Sequence, residues 1–186
     1  MSTYVSLLKG INVGGHKIIK MTALKSLYER LGFEQVKTYI QSGNVIFKSN
    51  ETNLSKLEHE IEKEILLDFG FGVSVQVIPS NDLISAHRQN PFLEKGVDDF
   101  TKLCVTFLND PQDTNSFCTI IIDPESGEEY AVKGKVIYLF FPNGYGQAVH
   151  INSWFETKFN TKATTRNWKT VCKLVELVST YNDYNN

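Results

Sequence analysis

The chain has no apolar run of transmembrane length, no start of signal-peptide type, and only three cysteines. The first absence excludes a helix that spans a membrane and the second a cleaved secretory leader. The third excludes a disulfide framework. Cys104, Cys118 and Cys172 are odd in number, far apart and set in apolar or helical surroundings, so they read as small buried residues of a reduced, cytosolic protein. An excess of charge is also missing. A formal net charge of -2 and a pI near 6.1 argue against a globally basic nucleic-acid binder. His16, His59, His87 and His150 are dispersed with no carboxylate or thiol spacing that would hold a metal, so neither a metal site nor a cofactor is expected.

Three familiar motifs are not completed. Gly10 and Gly15 have the gap of a phosphate-binding P-loop, but His16 follows where that motif needs lysine, Lys17 comes one place late, and Ile18 is apolar. No Gly-x-Gly-x-x-Gly is present for a dinucleotide. His59-Glu60 opens like a zinc-protease helix, but Lys63 occupies the place of the second histidine, which leaves the acids there as a solvated helix face.

What is present is a chain rich enough for a core, 41% hydrophobic and 12% aromatic, with an uneven charge pattern. Residues 1–28 carry Lys9, Lys17, Lys20 and Lys25 with no acid, whereas residues 109–129 carry six acids and no base. Lys158, Lys162, Arg166, Lys169 and Lys173 crowd the C-terminal part.

Periodicity predicts the order of elements. Tyr4–Leu8 is a strand, Thr22–Leu31 a helix stopped by Gly32, and Val36–Gln41 and Asn44–Lys48 a hairpin about Ser42-Gly43. Within that hairpin Val36, Thr38 and Ile40 share one face. Asn53 caps a helix with Leu54, Leu57, Ile61 and Ile65 in one stripe, and Val73, Val75 and Val77 alternate in a further strand. Strand, helix, hairpin, helix, strand is the ferredoxin-like order. Residues 79–102 form a connector with a short helix over Ser80–Gln89, and the pattern restarts at Leu103–Leu108.

In the second half the place in the repeat favours a helix over Gln112–Ile122, against the strand signal of Thr119 to Ile122. A hairpin about Gly134, a helix over Ile151–Phe159, a short strand over Lys162–Arg166 and a terminal helix from Trp168 complete it. Gly134-Lys135-Val136-Ile137-Tyr138 echoes Gly43-Asn44-Val45-Ile46-Phe47, which supports a duplication. The expected fold is therefore α+β, two ferredoxin-like halves at 1–78 and 103–180, with antiparallel sheets, helices on one face and a frayed tail at 181–186.

That topology brings the loop after the first strand and the hairpin turn to the same end of the sheet. Lys9, Gly10, Asn12, Gly14, Gly15, Gln41, Ser42 and Asn44 then surround one polar ligand, or else serve only to turn the chain and satisfy its backbone. Arg166 and Asn167, with Lys169 and Lys173, set positive charge at the start of the last helix, where free amides also favour an anion. Joining both regions in one pocket would make a binding module for a phosphate-bearing metabolite, a nucleotide or a nucleic-acid segment. The alternatives are a metal-independent enzyme using Lys9, His16, Gln41, Asn44 and Arg166, which needs a general base in the same pocket, and a structural or regulatory protein-interaction module. No membrane partner is expected, and the oligomeric state stays open.

Leu7 to Gly15, Tyr39 to Phe47 and Thr164 to Val171 together resemble the bacterial domain-of-unknown-function family 1697, as do Asn90-Pro91-Phe92 and the Gly134 hairpin. The resemblance spans nearly the whole chain and implies two ferredoxin-like halves in one compact unit, with no established activity. Lys9 stands where that family usually has arginine, and Lys169 where it often has asparagine. Charge survives at Lys9, but not the planar fork of a guanidinium.

Overall fold

The computed structural model describes residues 1–112, 118–123, 125–147 and 152–183. It divides into two units, Met1–Ile84 with Leu174–Asn186, and Ser85–Lys173. The connector and the terminal helix are thus each shared between units.

In the first unit, β1 (Ser2–Leu8), α1 (Met21–Arg30), β2 (Glu34–Tyr39), β3 (Asn44–Ser49), α2 (Leu54–Phe69) and β4 (Val75–Pro79) follow the expected order. Their sheet runs β2-β3-β1-β4, antiparallel throughout, which is the ferredoxin-like arrangement. One core cluster holds Leu24, Leu27 and Tyr28 of α1, Leu57, Ile61 and Ile65 of α2, and Tyr4, Leu8, Val45 and Phe47 of the sheet. Phe47 is its hub, with ring centroids 4.6 Å from Phe33, 5.4 Å from Tyr28 and 5.7 Å from Tyr4. The opposite side of β1 is buried too, since Val5 and Leu7 are fully covered. A hydroxyl inside this core therefore needs a partner. Ser6 and Tyr28 supply each other, 2.7 Å apart, and burial holds the phenol far above its usual pKa.

The ends of α2 follow local rules. Asn53 Oδ1 accepts from Lys56 N at 3.1 Å, and Gly70 closes the helix in the left-handed region. Its acidic face corrects the sequence reading. Glu58 and Glu62 are half-buried, and their carboxylates accept from Val77 N at 2.8 Å and Val75 N at 2.9 Å. Four residues of helix rise about 6 Å and two residues of strand about 6.8 Å, so residues spaced i, i+4 on α2 meet residues spaced i, i+2 on β4. The pair satisfies the outward amides of an edge strand, which would otherwise invite pairing with another chain.

The second unit holds α4 (Pro91–Glu94), β5 (Leu103–Leu108), β6 (Cys118–Asp123), β7 (Glu128–Lys133), β8 (Val136–Phe140), α5 (Asn152–Phe159) and β9 (Ala163–Asn167). The helix α3 (Ser80–Arg88) leads into it, and α6 (Trp168–Asp183) leads out. Its sheet runs β6-β7-β8-β5-β9, so the last four repeat the order of the first sheet, with β6 added at the edge. The helix expected over Gln112–Ile122 is therefore a strand among the described residues. The β-branched run Thr119-Ile120-Ile121-Ile122 prefers a pleated surface, and pairing with β7 decided what position in a repeat could not. His150 and Ile151 lie outside the described residues. Helix α6 continues through Tyr181, whose hydroxyl donates to Gln35 O at 2.8 Å, so the tail expected to fray from Tyr181 is helical to Asp183.

Both halves use the same hydrogen-bond frame. Leu8 N donates to Gly43 O and Lys9 N to Ser74 O, as Leu108 N does to Lys135 O and Asn109 N to Lys162 O. In that frame Gly43 corresponds to Lys135, so the echo between the two hairpins lies one residue out of register. A helix glutamate again serves the last strand, with Glu156 Oε1 accepting from Ala163 N at 3.1 Å.

Replacing Glu58 and Glu62 together by alanine is expected to lower stability by about 2 kcal/mol, since it leaves two edge amides without their charged acceptors. Hydrogen exchange should quicken first at the amides of Val75 and Val77. Unchanged exchange there would contradict this role.

Candidate functional site

The residues from Lys9 to Lys20 form a small, tightly specified loop at the end of β1. Lys9 extends the ladder to β4 through its own amide, and Gly10 turns the chain out with a positive φ. Gly14 and Gly15, at φ 59° and 78°, make a two-residue turn closed by His16 N donating to Val13 O at 3.0 Å. Two successive positive φ values are the signature of a type I′ hairpin turn.

Asn12 holds this loop together. Its Oδ1 accepts from Ile19 N at 2.9 Å, and its Nδ2 donates to Ile19 O at 3.0 Å and to Gln41 O at 2.8 Å. Asn12 itself sits at φ 55°, a region that asparagine tolerates better than most residues. One side chain thus closes residues 12–19 and ties them to the turn between β2 and β3. Lys17 adds a second tie, from Nζ to Gly72 O at 2.7 Å.

The β2–β3 turn is equally constrained. Asn44 is fully buried, and its Nδ2 donates to Tyr39 O at 3.1 Å and Ser42 Oγ at 3.0 Å. A Cβ on Gly43 would lie 2.7 Å from Leu8 Cβ and 2.7 Å from Ile11 Cδ1, and φ is +75° there, so only glycine fits. The sequence expectation that loop and turn share one end of the sheet therefore holds for Lys9, Gly10, Asn12, Gly14, Gly15, Gln41, Ser42 and Asn44. Two of them take the second of the roles that the sequence leaves open. The Asn12 amide binds backbone, and the Asn44 amide binds backbone and the Ser42 hydroxyl.

Sequence reasoning missed three exposed apolar residues of the loop and the turn. Val13, Ile18 and Ile40 are 64%, 58% and 46% exposed. The alternation of Val36, Thr38 and Ile40 assigns Ile40 to a strand face, but β2 ends at Tyr39 and Ile40 adopts φ 49°. A β-branched residue in the left-handed region is a genuine outlier. Its signal was the polar turn Gln41-Ser42-Gly43-Asn44 directly after it.

Arg166 and Asn167 belong to the second unit. Asn167 caps α6, with Oδ1 accepting from Thr170 N at 2.8 Å. Arg166 lies opposite Val105 on β9, and its Nη1 donates to Thr165 O at 3.0 Å. Burial pushes its guanidinium down to about 10, and the neighbouring Tyr145 acts in the opposite direction. It stays cationic at neutral pH. Trp168 is buried and stacks on His87 with ring centroids 5.0 Å apart, so it is a core residue. Burial, and then the charge of Arg88, lower the His87 pKa.

Cys104 is buried in the second core, and burial pushes its thiol up to about 12, which removes it as a nucleophile. Among the described residues no three His, Cys, Asp or Glu side chains are grouped to hold a metal ion, and no helix is long and apolar enough to cross a membrane. A cleft of about 480 Å³ opens among Met1, Tyr4, Thr52, Leu54, Pro79 and Ser80. It contains none of the candidate residues.

Two outcomes test this geometry. Asn12→Ala and Gly43→Ala should each lower stability by about 2–4 kcal/mol in denaturant unfolding, through lost hydrogen bonds in the first and overpacking with backbone strain in the second. Iodoacetamide at pH 8 should leave Cys104 unmodified in the native protein and alkylate it after unfolding, as read by mass spectrometry.

No curated protein matches the sequence. Among solved structures, conserved bacterial protein SP0830 from Streptococcus pneumoniae is similar at a TM-score of 0.67, with 23% identity over 94% of this chain and 97% of that one. At that identity the likeness speaks for the fold alone. The family model described as "Protein of unknown function (DUF1697)" matches residues 1–138, which carry the basic loop, the hairpin turn and the whole first sheet, and the chain belongs to that family.

Proposed function

We propose that the protein is a cytosolic binding module for an anionic ligand that bears phosphate: a metabolite, a nucleotide or a nucleic-acid segment. The loop of residues 9–20, beside Gln41 and Ser42, takes that ligand. One observation carries this reading: the only charged side chains of residues 1–28 are lysines, and Lys20 and Lys17, whose ammonium also donates to Gly72 O, stand exposed on a loop whose conformation Asn12 dictates. A preformed cationic loop binds an anion without the entropic cost of ordering it. Arg166, in the second unit, is a separate cationic position, still charged at neutral pH. The matching hydrogen-bond frames of the two halves support their origin by duplication.

Titration of the full chain with a nucleoside triphosphate, inorganic phosphate and short single-stranded RNA, at two salt concentrations, tests the proposal. Saturable binding to at least one probe is expected, weaker at higher salt and reduced about tenfold or more in the Lys17→Ala, Lys20→Ala double variant. Absence of saturable, salt-sensitive binding to all three would overturn it.

A further inference from the structure

We infer that the ligand of the 9–20 loop is a single strand of nucleic acid, whose bases lie on Val13, Ile18 and Ile40 while its phosphates meet Lys17 and Lys20. This rests on the anion-binding reading above and narrows it. The inference begins at Ile40, which is strained and half out in solvent at once. The left-handed backbone would be easier for glycine or asparagine, and an aliphatic side chain gains little from burial at 46% exposure. Strain of this kind, when the surroundings enforce it, points to a use outside the fold.

Two more exposed aliphatic residues accompany it. Val13 flanks the Gly14–Gly15 turn and Ile18 follows Lys17, and Asn12 binds this loop to Gln41, the residue after Ile40. Along the hairpin, apolar Val13, basic Lys17, apolar Ile18 and basic Lys20 alternate, all exposed. A small phosphate ester would use the cations and leave these aliphatic faces wet. A duplex hides its base faces by stacking. A single strand offers one phosphate and one apolar base face in every repeat, and so matches the surface in both respects. Charge complementarity supports the same ligand, because residues 1–28 contain no acid that would repel its backbone.

The test uses the full-length protein and three probes: a fluorescent oligouridine of about eight nucleotides, uridine monophosphate, and an acidic Glu-Leu peptide of similar length. The oligonucleotide should bind at least about tenfold more tightly than the mononucleotide, with log K falling against log salt at a slope of about -1.4 for two phosphates. Ile18→Ser and Ile40→Asn should each weaken oligonucleotide binding about threefold or more, and leave the binding of inorganic phosphate, which has no base, unchanged. Because asparagine suits φ 49°, Ile40→Asn should not lower the melting temperature, which separates lost contact from lost fold. Equal affinity for mononucleotide and oligonucleotide would overturn the inference and leave the anion-binding reading standing. No binding of the oligonucleotide would likewise overturn the inference, and tighter binding of the peptide would overturn both.

Discussion

Each sheet is built on a strand paired along both edges and buried on both faces, and that constraint governs what surrounds it. β1 lies between β3 and β4, and β5 lies between β8 and β9. Water cannot satisfy a backbone so enclosed, so every amide needs a partner from the protein. The side chains are correspondingly apolar, or small and hydrogen-bonded, as Ser6 is to Tyr28 in one core and Thr106 is to Thr165 in the other. Charge returns where the central strand ends. Lys9 follows Leu8, and Asn109 with Asp110 follow Leu108.

The edges obey the same requirement with different means. β4 and β9 terminate their sheets, and glutamates of the preceding helices accept from their amides. These carboxylates do work on the backbone that neighbouring strands do elsewhere. The bulge in β2 near Gln35, with its positive φ, distorts the other edge of the first sheet.

At the candidate site the constraint turns into strain. The chain must leave β1, form a tight hairpin and return, while the β2–β3 turn crosses close enough that Gly43 has no room for a methyl group. Asn12 resolves this by hydrogen bonding both segments, and Ile40 carries an unfavourable backbone angle as part of the same turn. The polar residues that first suggest a ligand are largely occupied with this construction. What faces outward is a mixture of lysines and aliphatic side chains.

Much of the architecture was readable in the sequence, because apolar periodicity, Asn53, Gly32 and Gly70 act over a few residues. The same local rules placed both hairpins and brought the Lys9–Gly15 loop beside Gln41 and Asn44. They could not decide β6, where a β-branched run and a place in a repeat disagreed until β7 supplied a partner. Nor could they show that Glu58 and Glu62 face an edge strand instead of water, since the acceptor need arises only when β4 lies beside α2. Ile40 is the clearest division. Alternation alone sets it on a strand face with Val36 and Thr38. Only the tertiary contacts of the turn after it, and the reach of Asn12 across to Gln41, decided that its backbone would be left-handed and its side chain half exposed.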